Sequence, residues 1–309
     1  MKILNLSFDS AEQNLAFEDW YFHNFTEETL RIWRNPKSVV VGKHQNALAE
    51  VDLNYCIENN IPVIRRISGG GTVYHDLGNI NFSFFRFTEK EKMIDYVKNL
   101  DIVREALTGL GFDVHMSERH DLFCGESKIS GNAQHVKRGK ALHHGTLLYD
   151  ADLAALSKGI KRQKGEFIDK GVKSVRSPTL NLRDNVNLGL TLEFMRALEG
   201  QLNLEPLNNF EFSQAEIAKL NLAKYSQDTW NYGYSPSYEF KNQYLDWNLK
   251  INTERGGNIS SIEIFKNNEK QKNLEGFLLN KPHFYGGILN LLIASEFESE
   301  SQELMKLLF

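Results

Sequence analysis

The chain has 309 residues, of which 41% are hydrophobic and 25% are charged, a balance typical of globular proteins and not of disordered or collagen-like chains. Its 36 basic and 40 acidic residues give a net charge of −4, so no overall positive field favours nucleic acid or an anionic membrane. Two cysteines cannot form a disulfide framework, and no apolar stretch reaches the ~20 residues of a membrane helix. We therefore expect a cytoplasmic protein without nucleic-acid or membrane partners.

Hydrophobic spacing predicts strands that alternate with helices over the first two thirds of the chain. In residues 79–87, Ile80, Phe82 and Phe84 recur at every second position, as on one face of a strand. In residues 90–110, apolar residues recur at three- and four-residue intervals, as on one face of a helix. Strands are predicted at residues 31–34, 39–42, 62–68, 79–87, 112–116, 121–124 and 145–149, and helices at residues 46–59, 90–110, 152–159, 190–202 and 213–225.

Changes in composition and clusters of turn residues divide the chain into regions. Residues 159–183 are rich in Lys, Arg and Gly and weakly periodic, which predicts a long surface loop. The Gly, Ser and Pro residues near 230–238 indicate a domain boundary, so we expect a large domain at residues 1–235 and a small α+β domain at residues 236–309. Within the small domain, extended segments are predicted at residues 243–251, 259–265 and 274–279, and one or two helices at residues 285–309. Ser213 and Glu216 predict a capping box at the helix that precedes the boundary.

The strongest motif is RRISGGGTVYHD, which begins at Arg65 and is closed by Gly78 and Asn79. Three successive glycines let the backbone approach a ligand closely, and their N–H groups can line an anion site. The two arginines, Arg65 and Arg66, supply charge for a phosphate or carboxylate. The motif is neither a P-loop nor a dinucleotide fingerprint, because the spacing of glycines and lysine differs from both. It therefore predicts an anion or nucleotide site of another fold.

A second motif, DLFCGESKISGNAQ, begins at Asp121. Its strand turns at Gly125 and returns with Lys128 among small residues, where a lysine can reach a phosphate as a point charge. Taken alone, the pattern favours a solvated hairpin lysine. Asp121 is the candidate ligand for any Mg²⁺ that enters with a nucleotide.

The third motif, HHGTLL, places His143 and His144 directly before Gly145 and Thr146. These histidines fit two interpretations equally well, one in which they order substrate oxygens and one in which they are structural. No HExxH or CxxC pattern indicates a zinc site. Cys56 and Cys124 fall in predicted helix and strand, where packing is a commoner role than nucleophilic catalysis.

Together, and in this order, the three motifs resemble the lipoate–protein ligases over most of residues 1–235. The resemblance implies an α+β core related to class II aminoacyl-tRNA synthetases and biotin ligases, with a mixed, mostly antiparallel sheet and flanking helices. It also implies that ATP activates lipoate as lipoyl-AMP with release of pyrophosphate. The lipoyl group then passes to a lysine of lipoyl-domain acceptors, namely the acyltransferase subunits of 2-oxoacid dehydrogenases and the glycine-cleavage H protein.

The resemblance also implies roles for individual residues of this chain. Lys128 is expected to contact both the lipoate carboxylate and the α-phosphate, and is the predicted catalytic residue. The ATP side is assigned to Arg66, Gly71, Thr72, Val73, Tyr74 and Lys128. The lipoate side is assigned to Lys128, Ser68, Gly70, His75, Asn79, Gly131, His144, Gly145 and Thr146.

Two departures and one alternative accompany the resemblance. His120 stands where relatives often carry Asn, and Leu274-Glu275-Gly276-Phe277 replaces the usual Gly-Asp-Phe-Phe of the C-terminal domain. The alternative function is an ATP-independent acyltransferase that moves octanoyl or lipoyl groups between carrier domains. Such relatives use a cysteine thioester, and the thiol nearest the motifs is that of Cys124. Biotin ligase activity is less favoured, because its Gly-Arg-Gly-Arg loop is absent.

Overall fold

The computed structural model describes residues 1–89, 96–160, 165–208 and 210–309. Its strands are β1 (Lys2–Asn5), β2 (Thr29–Arg34), β3 (Ser38–Val41), β4 (Val63–Arg65), β5 (Val73–His75), β6 (Asn79–Phe87), β7 (Val114–Met116), β8 (Leu122–Cys124), β9 (Ser127–Ser130), β10 (Asn132–Lys137), β11 (Lys140–Leu148), β12 (Glu166–Asp169), β13 (Tyr238–Tyr244), β14 (Trp247–Thr253), β15 (Ile259–Lys266) and β16 (Glu269–Lys270). Its helices are α1 (Ala11–Asn24), α2 (Ala47–Glu50), α3 (Leu53–Glu58), α4 (Tyr96–Gly109), α5 (Leu153–Gly159), α6 (Thr191–Leu202), α7 (Gln214–Leu220), α8 (Asp228–Asn231), α9 (Lys272–Leu278), α10 (Tyr285–Ile293) and α11 (Ser301–Leu308). Short 3-10 helices lie at Leu182–Asp184 and Glu298–Glu300, and a π-helical turn lies at Asn221–Tyr225.

A sheet of five strands, in the order β1-β2-β6-β11-β10, forms the centre of the N-terminal part of the chain. Strands β1 and β2 run parallel, whereas β6 pairs antiparallel with β2 and β11, and β11 pairs antiparallel with β10. The predicted α+β class with a mixed, mostly antiparallel sheet is therefore confirmed. The strand predicted at residues 79–87 is β6, and the one predicted at residues 145–149 is the end of the longer β11.

The two faces of this sheet differ in chemistry. On one face, Phe82 packs with Leu100 of α4 and Phe194 of α6 in an apolar cluster. On the opposite face, Asn81 and Ser83 are buried, although both are polar. Buried polar side chains in a sheet need partners, so this second face is where a site is expected.

Two smaller sheets carry the glycine and lysine motifs. Strand β3 pairs with both β4 and β5, so residues 66–72 connect two strands that flank the same neighbour. Strands β8 and β9 form the predicted hairpin, which turns at Gly125 with a φ of 56° and returns with Lys128. Both motifs thus lie on connections whose ends are fixed by strand pairing.

The C-terminal sheet has the order β12-β13-β14-β15-β16. Its first strand, β12, comes from the segment predicted as a surface loop, so residues 165–183 are more structured than the sequence suggests. Residues 161–164 of that segment lie outside the described residues. The helices predicted within residues 285–309 are confirmed as α10 and α11, which pack on each other and on the sheet.

Of the extended segments predicted in the C-terminal part, the one at residues 243–251 is interrupted by a turn and the one at residues 274–279 is wrong. Residues 243–251 turn at Leu245, whose φ is 52°, so they belong to the hairpin of β13 and β14. Residues 274–279 belong mostly to helix α9, because Leu274 and Leu278 bury themselves one turn apart against the sheet. The Glu275 carboxylate fixes this helix by accepting the Ile264 backbone N–H at 2.9 Å.

Two predicted helices also differ in detail. Residues 46–59 form α2 and α3 rather than one helix, because Asp52 caps α3 by accepting the Tyr55 N–H. Ser213 caps α7 as predicted, but the Glu216 carboxylate instead accepts the Trp20 indole N–H at 2.7 Å. Residues 90–95 of the predicted helix at 90–110 lie outside the described residues, and α4 confirms its remainder. No helix in the described parts is long and apolar enough to cross a membrane.

Candidate active site

Two adjoining cavities lie where the glycine motif meets strands β9 to β11. We call them the Trp33 cavity and the Leu156 cavity, after a residue that lines only one of them. The Trp33 cavity is lined by these predicted residues: Arg66, Gly70, Gly71, Thr72, Val73, His75, Asp121, Lys128, Gly131, His144, Gly145 and Thr146. The residues common to both cavities are Thr72, Val73, Lys128, Gly131, Thr146, Ser174 and Val175.

Three predicted residues stand apart from the Trp33 cavity. Tyr74 lines only the Leu156 cavity, and its hydroxyl has no hydrogen-bond partner among the described residues. Ser68 lines neither cavity, and it contacts the site through His144 and Arg66. Asn79 is fully buried and donates to the side chain of Asn81 at 2.9 Å, so its effect on the site is indirect.

Lys128 lies at the junction of the two cavities. Its Nζ pairs with the Asp121 carboxylate at 2.9 Å, and both side chains remain partly exposed. The strand that carries Lys128 is held by two backbone bonds, from Lys128 N–H to Pro178 O and from Leu180 N–H to Lys128 O. The Lys128 ammonium is thus carried by a fixed backbone and can face ligands in either cavity.

The glycine segment is held in place by Arg66. Its guanidinium donates to the carbonyls of Gly69 and Gly71 at 2.6 and 2.7 Å, to Ser68 Oγ at 2.9 Å and to Val40 O at 3.1 Å. Burial lowers the pKa of Arg66 to about 10, so the side chain stays charged at neutral pH. A charged, buried arginine bonded to carbonyls shapes the segment, and its predicted contact with a ligand anion stays a prediction.

Arg65 points away from both cavities. It is fully buried and donates to the backbone carbonyls of Gly42 and Asn231 and to Ser235 Oγ. Burial lowers the pKa of Arg65 to about 10 as well. Because neighbouring residues of an extended segment face opposite sides, only Arg66 can serve the site. The expectation that both arginines supply charge to the ligand is wrong for Arg65.

A hydrogen-bond chain runs from the glycine segment to helix α1. Ser68 Oγ lies 2.6 Å from His144 Nε2, and His144 Nδ1 lies 2.9 Å from Glu18 Oε2. Because the Glu18 carboxylate can only accept, His144 Nδ1 donates to it, and Nε2 of the neutral imidazole then accepts the hydroxyl proton of Ser68. Ser83 donates to the other Glu18 oxygen at 2.7 Å.

This series of hydrogen bonds resembles a serine–histidine–acid triad, but Ser68 is not placed as a nucleophile. Its side chain is fully buried and its oxygen already accepts a guanidinium N–H. Burial by itself raises the pKa of Glu18, yet the bonds from His144 and Ser83 bring that pKa below its ordinary value. An ionised Glu18 thus anchors a network that holds His144 and Ser68 in place.

His75 and Asp76 complete the first motif in different ways. Burial, with the nearby Arg66 charge, lowers the pKa of His75 to about 3, so its imidazole is neutral. Asn35 approaches His75 Nδ1 at 3.1 Å on the side away from the cavity. The Asp76 carboxylate accepts the N–H groups of Gly78 and Asp152 at 2.8 Å, which makes it a structural residue of the turn.

The third motif separates its two histidines. His144 lines the Trp33 cavity, whereas His143 packs between Phe82 and Phe84 on the other face of the sheet. Burial lowers the pKa of His143 to about 3, in keeping with a neutral structural imidazole. Gly145 is required between Thr146 and His144, because a Cβ there would lie 2.4 Å from the Phe82 ring.

A cover over the site was not predicted. Ser174, from the segment expected to be a plain surface loop, accepts the Thr72 backbone N–H at 2.9 Å and the Gln45 side-chain N–H at 3.0 Å. Residues Val172 to Val175 line the Trp33 cavity from this side. Sequence spacing gave no signal for this contact, since Ser174 and Thr72 lie far apart in the chain.

Glu18 was also missed, although a signal existed. It lies in LAFEDWYF, where an acidic residue interrupts an apolar helical face. Buried carboxylates are rare unless paired, so an acid on that face indicates a buried partner.

The surroundings of the two cysteines indicate what role each thiol can have. Cys124 lines neither cavity and lies in the apolar cluster with Leu122, as its predicted packing role requires. Burial raises the pKa of the Cys56 thiol to about 12, which leaves it unreactive. The described residues contain no group of three or more His, Cys, Asp or Glu side chains that could hold a metal ion.

The presence of His120 at a position where relatives often carry Asn has a conformational explanation. His120 adopts a φ of 61°, a left-handed conformation in which Asn and His are both enriched. Its ring stacks on Tyr96 at 5.0 Å, and it lines neither cavity. The exchange therefore preserves the backbone turn before Asp121.

Comparisons with known proteins agree with this arrangement. Residues 10–202 match the model of the lipoyl protein ligase A/B catalytic domain. The chain is 34% identical to lipoate–protein ligase 1 of Staphylococcus aureus, over 78% of this chain and 76% of that protein. It is 32% identical to the lipoate-protein ligase LplJ of Bacillus subtilis, over 84% of this chain and 83% of that protein.

Three solved structures each resemble about three quarters of the chain. Protein Ta0514 of T. acidophilum with bound lipoic acid has a TM-score of 0.61 at 28% identity, covering 74% of this chain and 98% of that one. A lipoate-protein ligase A bound with ATP has a TM-score of 0.63 at 29% identity, covering 75% and 98%. A bi-partite lipoate protein ligase of Thermoplasma acidophilum, studied with its E2 lipoyl domain, has a TM-score of 0.63 at 27% identity. The match covers 75% of this chain and 96% of that one. The predicted ligase fold is confirmed, and the chain belongs to the lipoyl protein ligase A/B catalytic domain family.

Proposed function

We propose that this protein is a lipoate–protein ligase that activates lipoate with ATP and transfers the lipoyl group to a lysine of an acceptor protein. The observation that carries the proposal is the position of Lys128, whose side chain lines both cavities. Two substrates that must react with each other require one cation between their sites. Relatives named for this activity, and solved relatives with lipoic acid or ATP bound, support the proposal.

Lipoate is assigned to the Trp33 cavity. Leu15, Trp33 and Val40 give this cavity an apolar wall, which suits an acyl chain, while Lys128 lies at the opposite limit. ATP is assigned to the Leu156 cavity, where Tyr74, Leu156 and Ile160 can flank a base. Arg176, Ser177 and Thr179 line the same cavity and supply donors for phosphate.

The first reaction joins the substrates at Lys128. A carboxylate oxygen of lipoate attacks the α-phosphorus of ATP, the bond to the β-phosphate oxygen breaks, and pyrophosphate leaves. Lys128 offsets the repulsion between the two anions and stabilises the charge of the transition state. The lysine amine of the acceptor then attacks the acyl carbon, which forms the amide and releases AMP.

Mg²⁺ is proposed to accompany ATP. Asp121 is the acidic residue among those that line the two cavities, and its carboxylate is already paired with Lys128. One shared carboxylate fits an ion held mainly by substrate phosphates and water, as is usual for Mg²⁺.

The proposed acceptors are lipoyl domains, those of 2-oxoacid dehydrogenase acyltransferases and the H protein. Support comes from the relative studied together with its E2 lipoyl domain. We also propose residues 1–235 as the catalytic domain and residues 236–309 as an accessory domain.

The alternative thioester mechanism needs a thiol that can reach the acyl group. Cys124 is 6% exposed, and Asn185 donates to its sulfur at 2.9 Å. A thiol held in an apolar cluster is poorly placed for transfer between carriers.

Lipoate-dependent exchange of labelled pyrophosphate into ATP tests the proposal. We expect exchange by the native protein and by Cys124→Ser at similar rates, because the thiol takes no part. Absence of exchange, with acyl transfer between lipoyl domains that is lost in Cys124→Ser, would contradict the ligase function and favour the alternative.

A further inference from the structure

Asn81 brings an unpaired polar group to the Trp33 cavity. The side chain is 2% exposed and lines the cavity. Its carbonyl accepts a hydrogen bond from Asn79, but its Nδ2 has no hydrogen-bond partner among the described residues. A buried donor without a partner is costly, so a ligand that pairs with it gains selectivity.

The strand register fixes the distance between Asn81 and the reacting end of the cavity. Lys128 Nζ lies 3.5 Å from the position that a Cβ of Gly131 would occupy. Gly131 and Thr146 exchange hydrogen bonds, and Thr146 lies directly opposite Asn81 on the neighbouring strand. Two strand spacings, about 10 Å in total, therefore separate the backbone of Asn81 from that of Gly131, beside which Lys128 Nζ lies. An extended octanoyl-length chain covers a comparable distance.

On the side toward β2, apolar side chains lie near Asn81. Trp33 lies directly opposite it on the next strand, and Leu15 and Val40 pack with Trp33 in one cluster. The indole N–H of Trp33 is already bonded to Ser83 Oγ at 2.9 Å. The Asn81 amide is thus a polar group placed where the tail of the acyl chain would end.

This inference rests on the proposed function and names the substrate preference of that site. We propose that Asn81 recognises the dithiolane ring of lipoate by donating its Nδ2–H to a ring sulfur. Sulfur is a weak acceptor, whereas the methyl end of octanoate accepts nothing. A site with a buried donor discriminates against an analogue that leaves the donor unpaired. Asn81 is therefore a specificity-determining residue for lipoate over octanoate.

The test measures kcat/KM for acid-dependent pyrophosphate exchange with three acids: lipoate, octanoate and 5-cyclopentylpentanoate. The last has a ring of similar shape without sulfur. We expect the native protein to prefer lipoate over the cyclopentyl acid by roughly five- to tenfold, the equivalent of a weak hydrogen bond. In Asn81→Leu, of similar size but apolar, this preference should fall to about onefold.

Asn248→Leu, the same change at an exposed position of β14, is the matched control and should retain the native ratios. Asn81→Ala gives a second measurement of the ratio of kcat/KM for lipoate to that for the cyclopentyl acid. The same ratio in the native protein tests the inference without any substitution. Equal rates for these two acids in the native protein, or an unchanged ratio in both Asn81 variants, would overturn the inference alone. Absence of exchange with every acid would overturn the proposed function together with it.

Discussion

Glu18 shows how one buried charge organises the site from a distance. It accepts hydrogen bonds from His144 and Ser83, and His144 in turn accepts from Ser68. Ser68 also accepts from Arg66, whose other donors hold the glycine segment. A carboxylate can accept at both oxygens without donating, so the direction of every bond in the network follows from its charge.

Replacing Glu18 by Gln tests this network. The Gln amide has one acceptor oxygen, so it can accept from Ser83 or from His144 but not from both, and its NH2 group faces the other donor. We expect stability to fall by about 1–3 kcal/mol, as for a buried polar group left unpaired. The KM for lipoate should rise several-fold while the KM for ATP changes little, because His144 lines only the Trp33 cavity. Steady-state exchange kinetics and urea unfolding measure these effects.

Glu105→Gln is the control for that substitution, since Glu105 is an exposed acid of helix α4. It should leave stability and both KM values at their native levels. An equal rise of both KM values in Glu18→Gln would show that the network does not act on the lipoate side alone.

At the scale of elements, the connection between β4 and β5 is the part of the site most dependent on backbone conformation. Gly70 has a φ of +81°, which residues with a side chain rarely adopt. A Cβ there would also lie 3.0 Å from the Arg66 guanidinium and 3.3 Å from the Ala133 side chain. Both strain and contact therefore require glycine.

Gly70→Ala is expected to disturb the segment that lines both cavities through Thr72. The KM values for lipoate and ATP should both rise, by about tenfold or more, because backbone strain at such a position costs of order 1–3 kcal/mol. Gly200→Ala, in helix α6 with open space around the position, should instead be neutral or stabilising by up to ~1 kcal/mol. Exchange kinetics and thermal unfolding of both variants check this, and native KM values in Gly70→Ala would contradict it.

The elements also show what sequence patterns can and cannot predict. The alternation of Ile80, Phe82 and Phe84 predicted β6, because one face of that strand is wholly apolar. The extended segment predicted at residues 274–279 is mostly helical, because Leu274 and Leu278 pack one helical turn apart against the sheet. Short apolar runs are ambiguous between helix and strand, and here the tertiary contact decides.

The site was predictable where its chemistry is local. Ser68, Gly70, Lys128 and His144 stand within recognisable motifs, and the structure brings them together. Ser174 could not be predicted, because its contact with Thr72 depends on how a distant segment folds over the motif. The sequence also could not show which of Arg65 and Arg66 faces the cavities, because the direction of each side chain depends on how the sheet assembles.

At the scale of the whole molecule, Arg65 joins the glycine motif to residues 231–235, which lie just before the proposed domain boundary. Its guanidinium donates to Asn231 O at 2.8 Å and to Ser235 Oγ at 3.0 Å, while its backbone N–H donates to Asn231 Oδ1. Strand β12 makes a second connection. It precedes residues 172–175, which line the Trp33 cavity, and it pairs with β13 of the C-terminal sheet. The glycine motif and strand β12 are thus both joined to residues near the proposed domain boundary.

In the proposed mechanism, the two substrates occupy separate cavities that meet at Lys128. The most direct measurement is a crystal structure with a sulfamoyl analogue of lipoyl-AMP, which cannot release its acyl group. We expect the dithiolane in the Trp33 cavity, the adenosine in the Leu156 cavity and the sulfamoyl oxygens within hydrogen-bond distance of Lys128 Nζ. Density that places the acyl chain and the adenosine in one cavity, or the linkage away from Lys128, would contradict it.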